Sequence, residues 1–596
     1  MNLLQNFLFP VPTLPVQLYF KGSGDLGRDA EGGEFILVRE GGTLSSDTFF
    51  GSFYRSYWWQ YTGLRDFSLL VDIEGSAKLR VIESVGEQAE CIASVDIDAR
   101  ESGRRQIHLP PGSLDPSAGS RLYVELQAVG ECRVRALDYA TASEPQRQAR
   151  LSIGLCTFNR EERLAKTLAS LARLAASEEA VTTVYVVNQG AEFESDIVRG
   201  ILDSPKFETI RQRNLGGAGG FTRTMFEALN SPAPASHHLL MDDDIFLDER
   251  VIQRVLRFLD HAEEDVAVGG TMLDELYPSR IHEAGAFLTP ENRIQAYCQN
   301  VDLAKDGEQR HFDVPVETDF NAWWFCALPL KKCQDVGFPL PLFIRGDDFE
   351  YGQRLADAGV PTVTLPGVAV WHEPFYAKFS RWHSYYDLRN RLIFGATNAG
   401  KVKQLTVPYV IWTITVAVLT HDYQLARMRI KAVEDYLIGP RALFCQDPEA
   451  IQESVLSLLR EEPAPQELEA RDLDGHPLKA DGRVQRPRMR ELLWEHVMSM
   501  LRTGLGPLHE DPGILLTSAS AHPANTAGRS YVYTNEVRGF YFHMVPRRGR
   551  MWTLLMRAAL TGARYRVSRG RAGRDWAGSI SRFTDEAWWR GLFRLS

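Results

Sequence analysis

The sequence has few cysteines, and none of them is spaced to bind a metal. Seven of its 596 residues are cysteine, they are scattered along the chain, and no CxxC pair occurs. A structural zinc site and a disulfide-rich extracellular fold are therefore not indicated. This cysteine usage is typical of a protein that works in a reducing cytoplasm.

The sequence also lacks a long apolar run and a targeting segment. Its most apolar stretch, VPYVIWTITVAVL at 407–419, has 13 residues, whereas a membrane-spanning helix needs about 20. We predict a buried helix or strand there. The apolar N-terminus, MNLLQNFLFPVPTLPVQLYF, has no basic segment at its start, contains three prolines and lacks a small-residue cleavage site, so it is not predicted to be a signal peptide.

Several catalytic motifs are missing as well. The sequence contains no Gly-x-Ser-x-Gly elbow, no HExxH and no Ser-His-Asp order, so nothing indicates a hydrolase or a zinc protease. The net charge of −10 argues against general nucleic-acid binding. The charge is uneven, however, because residues 546–596 contain twelve arginines, no lysine and three acids.

A chain of this length should form three or four domains, and 44% hydrophobic with 24% charged residues is ordinary for a soluble globular protein. Residues 1–148 contain short strand-like runs such as FSLLVDI and RLYVELQAV, which predict a β-sandwich. The polar stretch SEPQRQAR at 143–150 is typical of a linker. In SYWWQYTG at 56–63, the aromatics could hold a glycan or fill the sandwich core.

Residues 149–395 alternate strand and helix patterns, beginning with LSIGLCTF and EERLAKTLASLARLAA. This alternation predicts an α/β domain with a parallel sheet, whose ligands bind beyond the C-terminal ends of the strands. Residues 396–596 are predicted to be a mainly helical domain, which includes the arginine-rich segment.

Three consecutive carboxylates follow a short apolar strand in HHLLMDDDIF, at 237–246. Asp242 and Asp244, at i and i+2 of an extended strand end, can approach one cation, and oxygen ligands suit Mg²⁺ or Mn²⁺. A metal would relieve the repulsion between the three acids. The alternative is a solvated turn or a helix cap.

A glycine-rich segment, QRNLGGAGGFTRTMFEAL, lies at 212–229. It fits neither the dinucleotide fingerprint nor the P-loop. We expect a glycine-rich loop whose backbone amides face an anion at the start of a helix. Together with an acidic metal site downstream, this predicts a site for a nucleotide diphosphate, although a tight loop needed only for packing is an alternative.

A second acidic group, in RGDDFEYG at 345–352, precedes an amphipathic helix pattern. Asp347, Asp348 and Glu350 could supply a general base that deprotonates a hydroxyl, or they could merely cap the helix. Nearby, the strand pattern PTVTLPGVAVWH ends in His372, which is placed to join the metal site. The aromatic segments NAWWFC and RWHSYYDLRNR could be core or could stack on sugar rings.

The ordered set LCTFNR, VVNQG, QRNLGGAGGF, MDDDI, FNAWWF, RGDDFEYG and VAVWH resembles the inverting, GT-A-fold glycosyltransferases of family 2. More narrowly, it resembles the galactofuranosyltransferases that polymerise cell-wall galactan from UDP-galactofuranose. The resemblance is strong over residues 150–395. It implies a central Rossmann-like GT-A domain flanked by the N-terminal β-sandwich and the C-terminal helical domain.

The resemblance implies roles for named residues. Donor nucleotide contacts are expected at Arg160, Gln189, Asn214, Gly217, Asp242 and Asp243. The expected metal ligands are Asp242, Asp244 and His372. Asp348, with Asp347 beside it, would be catalytic, and acceptor contacts are expected at Trp323, Trp324, Glu350 and His383.

Three positions depart from the family pattern. Gly346 stands where an aromatic is expected, Phe349 replaces a small residue, and Asn188 stands where Asp is usual. Because Gly346 and Phe349 lie beside the expected base, they put the acceptor and the linkage in question. Other readings are a family 2 rhamnosyl- or hexosyltransferase of surface polysaccharide synthesis, or an inactive carbohydrate-binding scaffold.

The expected partners follow from the same resemblance. They are a UDP-sugar donor, a glycan acceptor that is lipid-linked or on the cell surface, and Mn²⁺ or Mg²⁺ as the cation. The arginine-rich segment could lie on anionic lipid at the inner face of the cell membrane, which predicts a cytoplasmic, peripheral enzyme. A solvated helix face or a contact in a homo-oligomer is the alternative.

Overall fold

A computed structural model describes the chain except for residues 99–102, 112–118, 375–379, 470–478, 481–488, 510–513, 518–519, 536–539 and 596. The N-terminal region forms the predicted β-sandwich. Its elements are β1 Asn2–Gln5, β2 Lys21–Gly22, β3 Gly24–Arg28, β4 Glu34–Val38, β5 Thr43–Ser45, α1 Arg55–Thr62, β6 Phe67–Glu74, β7 Ala77–Val85, β8 Gln88–Ile97, β9 Arg104–Leu109, β10 Arg121–Ala128 and β11 Cys132–Thr141.

The sandwich consists of two antiparallel sheets, ordered β3-β4-β11-β6-β9, with β1 beside β11, and β2-β5-β10-β7-β8. Side chains that alternate between buried and exposed along the first half of β7 explain why one face of that sheet turns inward. The aromatics of α1 belong to the core, since Tyr57 and Trp58 are 1% and 3% exposed. Trp58 packs edge-on against Phe258, which belongs to the next region of the chain, with ring centroids 5.3 Å apart.

The next region alternates strand and helix. Its elements are β12 Leu151–Thr157, α2 Glu161–Ser177, β13 Val181–Asn188, α3 Asp196–Leu202, β14 Phe207–Arg211, α4 Gly216–Leu229, β15 His237–Asp242, α5 Arg250–His261, β16 Ala267–Asp274, β17 Ile281–Glu283, β18 Ala286–Leu288, β19 Ile294–Ala296, β20 Glu317–Thr318, β21 Phe325–Pro329, α6 Leu330–Val336, α7 Asp347–Asp357, β22 Thr362–His372 and α8 His383–Thr397. Residues 143–150, the predicted linker, contain no helix or strand.

The central sheet has the order β14-β13-β12-β15-β21-β16-β22-β20, with β17 beside β16. The prediction of a parallel sheet is only partly right. The pairs β12/β13, β12/β15 and β16/β22 are parallel, but β21 is antiparallel to both β15 and β16. This strand begins just after Trp323 and Trp324, at the edge where β15 ends, and therefore runs in the opposite direction.

The C-terminal region is mainly helical, as predicted, with a small sheet ordered β23-β27-β26-β25-β24 that the sequence patterns did not indicate. Its elements are α9 Val407–Leu419, α10 Tyr423–Ile438, α11 Pro440–Phe444, α12 Pro448–Glu461, β23 Gln466–Leu468, β24 Lys479–Ala480, α13 Met489–Leu505, β25 Ile514–Leu516, α14 Pro523–Thr526, β26 Tyr531–Asn535, β27 Phe540–Met544, α15 Arg548–Ala577, α16 Ile580–Phe583 and α17 Glu586–Phe593. The apolar segment 407–419 is helix α9. Among the described residues, no helix has both the length and the apolarity needed to cross a bilayer.

Candidate active site

Two aspartates and a histidine converge where β15 and β22 end. His372 Nε2 lies 2.9 Å from Asp244 Oδ1 and 3.6 Å from Asp242 Oδ2. Atoms from all three side chains that could bind a metal lie within 4.8 Å of one another. This set of carboxylate oxygens and one imidazole nitrogen fits a divalent cation such as Mn²⁺ or Mg²⁺.

Asp243 takes a different position from its two neighbours. Its side chain is buried, and its backbone carbonyl accepts a hydrogen bond from Thr167 Oγ1 at 3.0 Å. Burial, reinforced by the charge of Asp244, raises the pKa of Asp243 to about 7. Strand β15 ends at Asp242, and Asp243 and Asp244 lie in the turn that follows. The separation of Asp243 from its neighbours therefore comes from this turn, and the extended strand end expected from the sequence does not continue through all three residues.

The second acidic pair begins helix α7. Asp347 is buried and Asp348 is partly exposed, and Asp348 Oδ1 accepts a hydrogen bond from the Phe349 amide at 2.8 Å. Burial raises the pKa of Asp348 to about 6. Burial and the charge of Asp348 raise the pKa of Asp347 well above its ordinary value. A carboxylate whose pKa is raised toward neutrality suits a general base.

The cluster of Asp242, Asp244 and His372 shares one cleft of about 260 Å³ with the acidic pair. Most of the residues to which the sequence assigned roles line this cleft. They are Arg160, Gly217, Asp242, Asp244, Trp323, Trp324, Asp347, Asp348, His372 and His383. Arg160 enters from the start of α2, where its Nη1 donates to Asp244 Oδ2 at 2.8 Å.

Four predicted residues are absent from the cleft lining: Gln189, Asn214, Asp243 and Glu350. Gln189 accepts from the Leu215 amide at 2.7 Å and donates to the Gly216 carbonyl at 2.9 Å. Asn214 Oδ1 accepts from the Gly216 amide at 2.9 Å. These contacts shape the turn before α4, and the expected contacts of Gln189 and Asn214 with the nucleotide stay a prediction.

Glu350 is 1% exposed and makes contacts inside the protein. Its Oε1 accepts from Arg354 Nε at 2.7 Å, and its Oε2 accepts from the Leu340 amide at 3.3 Å. The carboxylate therefore ties α7 to the segment before it. The acceptor contact that the sequence assigned to Glu350 stays a prediction.

The glycine-rich segment is not the loop that the sequence predicted, because residues 216–229 form helix α4. The missing side chain of Gly220 allows the helix to pack on β12, since a Cβ there would lie 2.0 Å from Cys156 Sγ. Gly217, in the first turn, lines the cleft. The first amides of a helix attract anions, so the expected anion site lies at the start of a helix instead of within a loop.

Trp323 and Trp324 form an aromatic wall of the cleft and are each 5% exposed. The ring of Trp323 is held edge-on against Phe221 and Tyr351, with centroids 5.6 and 6.1 Å away. Across the cleft, His383 begins α8 and its ring lies 4.0 Å from that of Trp382. An aromatic wall facing carboxylates can bind a sugar through its apolar face and its hydroxyls.

Glu283, the last residue of β17, was missed by the sequence reasoning. It is 8% exposed, and its Oε1 has no hydrogen-bond partner among the described residues. Burial, together with the charge of Asp348, raises the pKa of Glu283 to about 8. The one available signal was an acid at the end of the short apolar segment RIHEAGA, which is too weak to single it out.

Comparisons with known proteins identify the family of this chain. Residues 149–395 match the family described as Glycosyltransferase like family 2. The galactofuranosyltransferase GlfT2 of Mycolicibacterium smegmatis is 31% identical over 469 residues, covering 74% of this chain and 72% of that protein. GlfT2 of Mycobacterium tuberculosis is 27% identical over 476 residues, covering 74% of this chain and 73% of that protein.

Among solved structures, the mannosyltransferase PcManGT from Pyrobaculum calidifontis in complex with GDP-Man and Mn²⁺ gives a TM-score of 0.31 at 12% identity, covering 54% of this chain and 87% of that chain. A similarity this weak supports no argument about the site. The similarity to the GlfT2 proteins is much more extensive. This chain is therefore a glycosyltransferase, and it belongs to glycosyltransferase family 2, in the family of the GlfT2 galactofuranosyltransferases.

Proposed function

We propose that this enzyme transfers galactofuranose from UDP-galactofuranose to a hydroxyl of a glycan acceptor, with a divalent cation and with inversion of the anomeric centre. The observation that carries the proposal is the shared cleft, in which Asp242, Asp244 and His372 face Asp347 and Asp348. The donor sugar is inferred from the galactofuranosyltransferases to which the chain is similar.

In this proposal, different residues at the cleft would bind the cation, the diphosphate and the sugar rings. Asp242, Asp244 and His372 would hold the cation, which when bound supplies Lewis-acid stabilisation of the diphosphate. The Gly217 amide, in the first turn of α4 and at the cleft, would bind a diphosphate oxygen, and Arg160 would add positive charge beside it. Trp323 and Trp324 would orient the sugar rings.

Asp348 would act as the base. It would accept the proton of the acceptor hydroxyl as the acceptor oxygen bonds to the anomeric carbon and the bond from that carbon to the diphosphate breaks. Attack from the face opposite the leaving group inverts the anomeric centre. Asp348→Ala should lower kcat by roughly 10²–10⁴, the range for a positioned base, while UDP binding changes little.

We further propose that the acceptor is lipid-linked and that α15 rests on an anionic membrane surface. The outward face of α15 carries Trp552, Met556, Leu560 and Val567, which are 37%, 65%, 60% and 84% exposed. Their spacing of four, four and seven residues puts them on one side of the helix. We call these four residues the α15 stripe.

Arginines flank the α15 stripe on both sides. At 100° per residue, Arg548 and Arg566 lie along one edge, and Arg564 and Arg571 lie along the other, all exposed. An apolar stripe between rows of positive charge is complementary to a bilayer with anionic headgroups.

Helix α13 contacts α15 at Gly504, where an added Cβ would lie 2.6 Å from the Trp552 ring.

A second candidate is a family 2 transferase that uses another donor or acceptor. It is favoured by Gly346 and Phe349, the two departures from the family pattern beside Asp348. A metal-dependent UDP-release assay separates the candidates by comparing UDP-galactofuranose, UDP-galactopyranose and other nucleotide sugars with a short galactofuranosyl acceptor.

Release only with the furanose donor, abolished by chelation and by Asp348→Ala, is the expected result. Turnover of a different donor would keep the mechanism and reject the galactofuranose assignment. If the protein binds UDP but turns over no donor with any acceptor, it is a carbohydrate-binding scaffold and the proposed function is wrong.

A further inference from the structure

The segment that leads into the acidic pair has an unusual backbone. Phe343, Arg345 and Gly346 all have positive φ, at 71°, 66° and 89°. The left-handed region is uncommon for residues other than glycine, so Phe343 and Arg345 keep this conformation only if the surrounding structure holds them there. Because α7 starts directly after Gly346, the shape of segment 342–346 determines where Asp347 and Asp348 lie.

Asn390 of α8 forms hydrogen bonds to the backbone of this segment. It is 1% exposed, and its Nδ2 donates to the Ile344 carbonyl at 2.8 Å, to the Arg345 carbonyl at 2.5 Å and, at 3.3 Å, to the Leu342 carbonyl. Its Oδ1 accepts from Arg389 Nε at 2.9 Å, which fixes the amide with its NH₂ group toward the segment. Arg389 Nη2 also donates to the Leu342 carbonyl at 2.6 Å.

These two residues are themselves anchored in the helical region. Arg389 Nη1 donates to the Tyr385 hydroxyl at 3.2 Å, and that hydroxyl donates to Asp435 Oδ2 of α10 at 2.6 Å. On the opposite side, the Ala218 amide of α4 donates to the Phe343 carbonyl at 3.0 Å. Segment 342–346 is thus held between the start of α4 and a buried polar chain that reaches α10.

We propose that Asn390 is a positioning residue for the transfer reaction and acts on Asp348 through segment 342–346. This inference rests on the proposed role of Asp348 as the base. Asn390 does not line the cleft, so its effect on catalysis must pass through the backbone that it holds. Without the hydrogen bonds from Asn390, the segment relaxes toward ordinary φ values and moves Asp348 away from the acceptor hydroxyl.

The test replaces Asn390 with leucine, which has a similar size and no donor. The control is Asn398→Leu at the end of α8, where the amide donates to the Phe394 carbonyl at 3.2 Å and does not contact the segment. We expect Asn390→Leu to lower kcat roughly 10- to 100-fold, as a small misplacement of a catalytic group does. The Kd for UDP should stay within about twofold of wild type, and Asn398→Leu should keep a near-normal kcat.

The double variant Asn390→Leu/Asp348→Ala distinguishes positioning from general destabilisation. If Asn390 acts through Asp348, the double variant should be no slower than Asp348→Ala alone. A further loss equal to the loss in the single variant would overturn the proposal. So would a kcat for Asn390→Leu that matches that of Asn398→Leu.

Hydrogen exchange gives a readout that does not depend on turnover. Amides of residues 343–350 should exchange faster in Asn390→Leu than in wild type or in Asn398→Leu, and unchanged exchange would overturn the proposal. If the wild type turns over no nucleotide sugar, the proposed function fails, while the exchange result still decides whether Asn390 holds the segment. Asn390→Ser replaces Asn390→Leu if the latter does not fold.

Discussion

A methyl group added to Gly346 would lie 2.6 Å from Cζ of the Phe349 ring. The ring itself is fixed edge-on against Phe394 and Phe320, with centroids 4.9 and 6.0 Å away. The two departures from the family pattern therefore form one arrangement, in which the ring at 349 fills the space beside position 346. This arrangement lies on either side of Asp347 and Asp348 in the chain, although neither Gly346 nor Phe349 lines the cleft.

The first prediction concerns this pair. Gly346→Ala should destabilise the protein by about 1–2 kcal/mol, because alanine is disfavoured at a φ of 89° and its methyl group meets the ring. Phe349→Ala should cost about 3–5 kcal/mol by leaving a cavity. The double variant should lose less than the sum, because removing the ring relieves the contact. Thermal unfolding of the four proteins measures this, and additive losses would show that the two sites are independent.

The second prediction concerns metal binding. His372→Ala should weaken Mn²⁺ binding more than about 100-fold, since loss of a direct ligand exceeds the 10- to 100-fold effect of its supporting contacts. Asp243→Asn is the matched control and should stay within a few fold of wild type, because Asp243 does not line the cleft. Calorimetric titration with Mn²⁺ in the absence of UDP measures both, so that the nucleotide contact expected at Asp243 does not enter the comparison. Equal losses would mean that the separation of Asp243 from the ligands is wrong.

The third prediction is a pH dependence. Since burial raises the pKa of Asp348 to about 6, kcat/KM should rise with pH below about 6 and level off above it, as the base loses its proton. The charge of Arg345 lowers this pKa, so Arg345→Gln should move the acidic limb to higher pH.

Arg173→Gln is the control for the pH profile. Arg173 lies on α2, does not line the cleft, and forms an ion pair with Glu249 at 2.7 Å. Its acidic limb should coincide with that of the wild type. If the limb of the wild type persists in Asp348→Ala, the titrating group is another residue.

The fourth prediction concerns Glu283. Its pKa in the folded protein, about 8, is above the ordinary value of 4.5. Between pH 4.5 and pH 8, Glu283 is therefore protonated in the folded state and ionised in the unfolded state. Stability contributed by this group therefore falls as pH rises from about 4.5 to 8. Glu283→Gln removes the effect and should stabilise the protein by up to roughly 4 kcal/mol at pH 8, with little difference at pH 4.5.

The thermal midpoints of wild type and Glu283→Gln across this pH range check that prediction. Glu179→Gln is a suitable control, because Glu179 is exposed in the turn after α2 and its replacement should leave the thermal midpoint nearly unchanged at every pH. A constant difference between Glu283→Gln and wild type at every pH would contradict the assigned ionisation.

The fifth prediction concerns the membrane surface. Trp552→Ser/Met556→Ser/Leu560→Ser should reduce binding to phosphatidylglycerol vesicles by at least tenfold, because several kcal/mol of apolar burial is lost. Turnover of a soluble acceptor should be unchanged, since no residue of the α15 stripe lines the cleft. Ile197→Ser on α3, where the side chain is 70% exposed, is the control. A triple variant that binds vesicles normally but changes its mass in solution would identify the stripe as a subunit contact.

Sequence patterns predicted the three regions of the fold and most of the cleft residues. The position of Asp242, Asp244 and Asp348 at one cleft could be predicted because an apolar strand or an amphipathic helix beside an acidic group is a local signal. Gln189 and Glu350 make contacts inside the protein and do not line the cleft, and the roles of all five residues stay predictions. The glycine-rich segment was mistaken for a loop because glycine has a low helix propensity, whereas packing of α4 on β12 stabilises that helix.

The sequence by itself determined which chemical groups are available and which strand or helix end presents each of them, because these depend on periodicity and on neighbouring residues. Only the tertiary structure brought His372 to Asp244 across 128 positions, placed Glu283 near the acidic pair and set Asn390 beneath segment 342–346. Such contacts depend on how distant elements pack, and a single strand or helix pattern carries no information about its partner. The direction of β21 and the compensation between Gly346 and Phe349 were decided in the same way, by packing between elements that are separate in the chain.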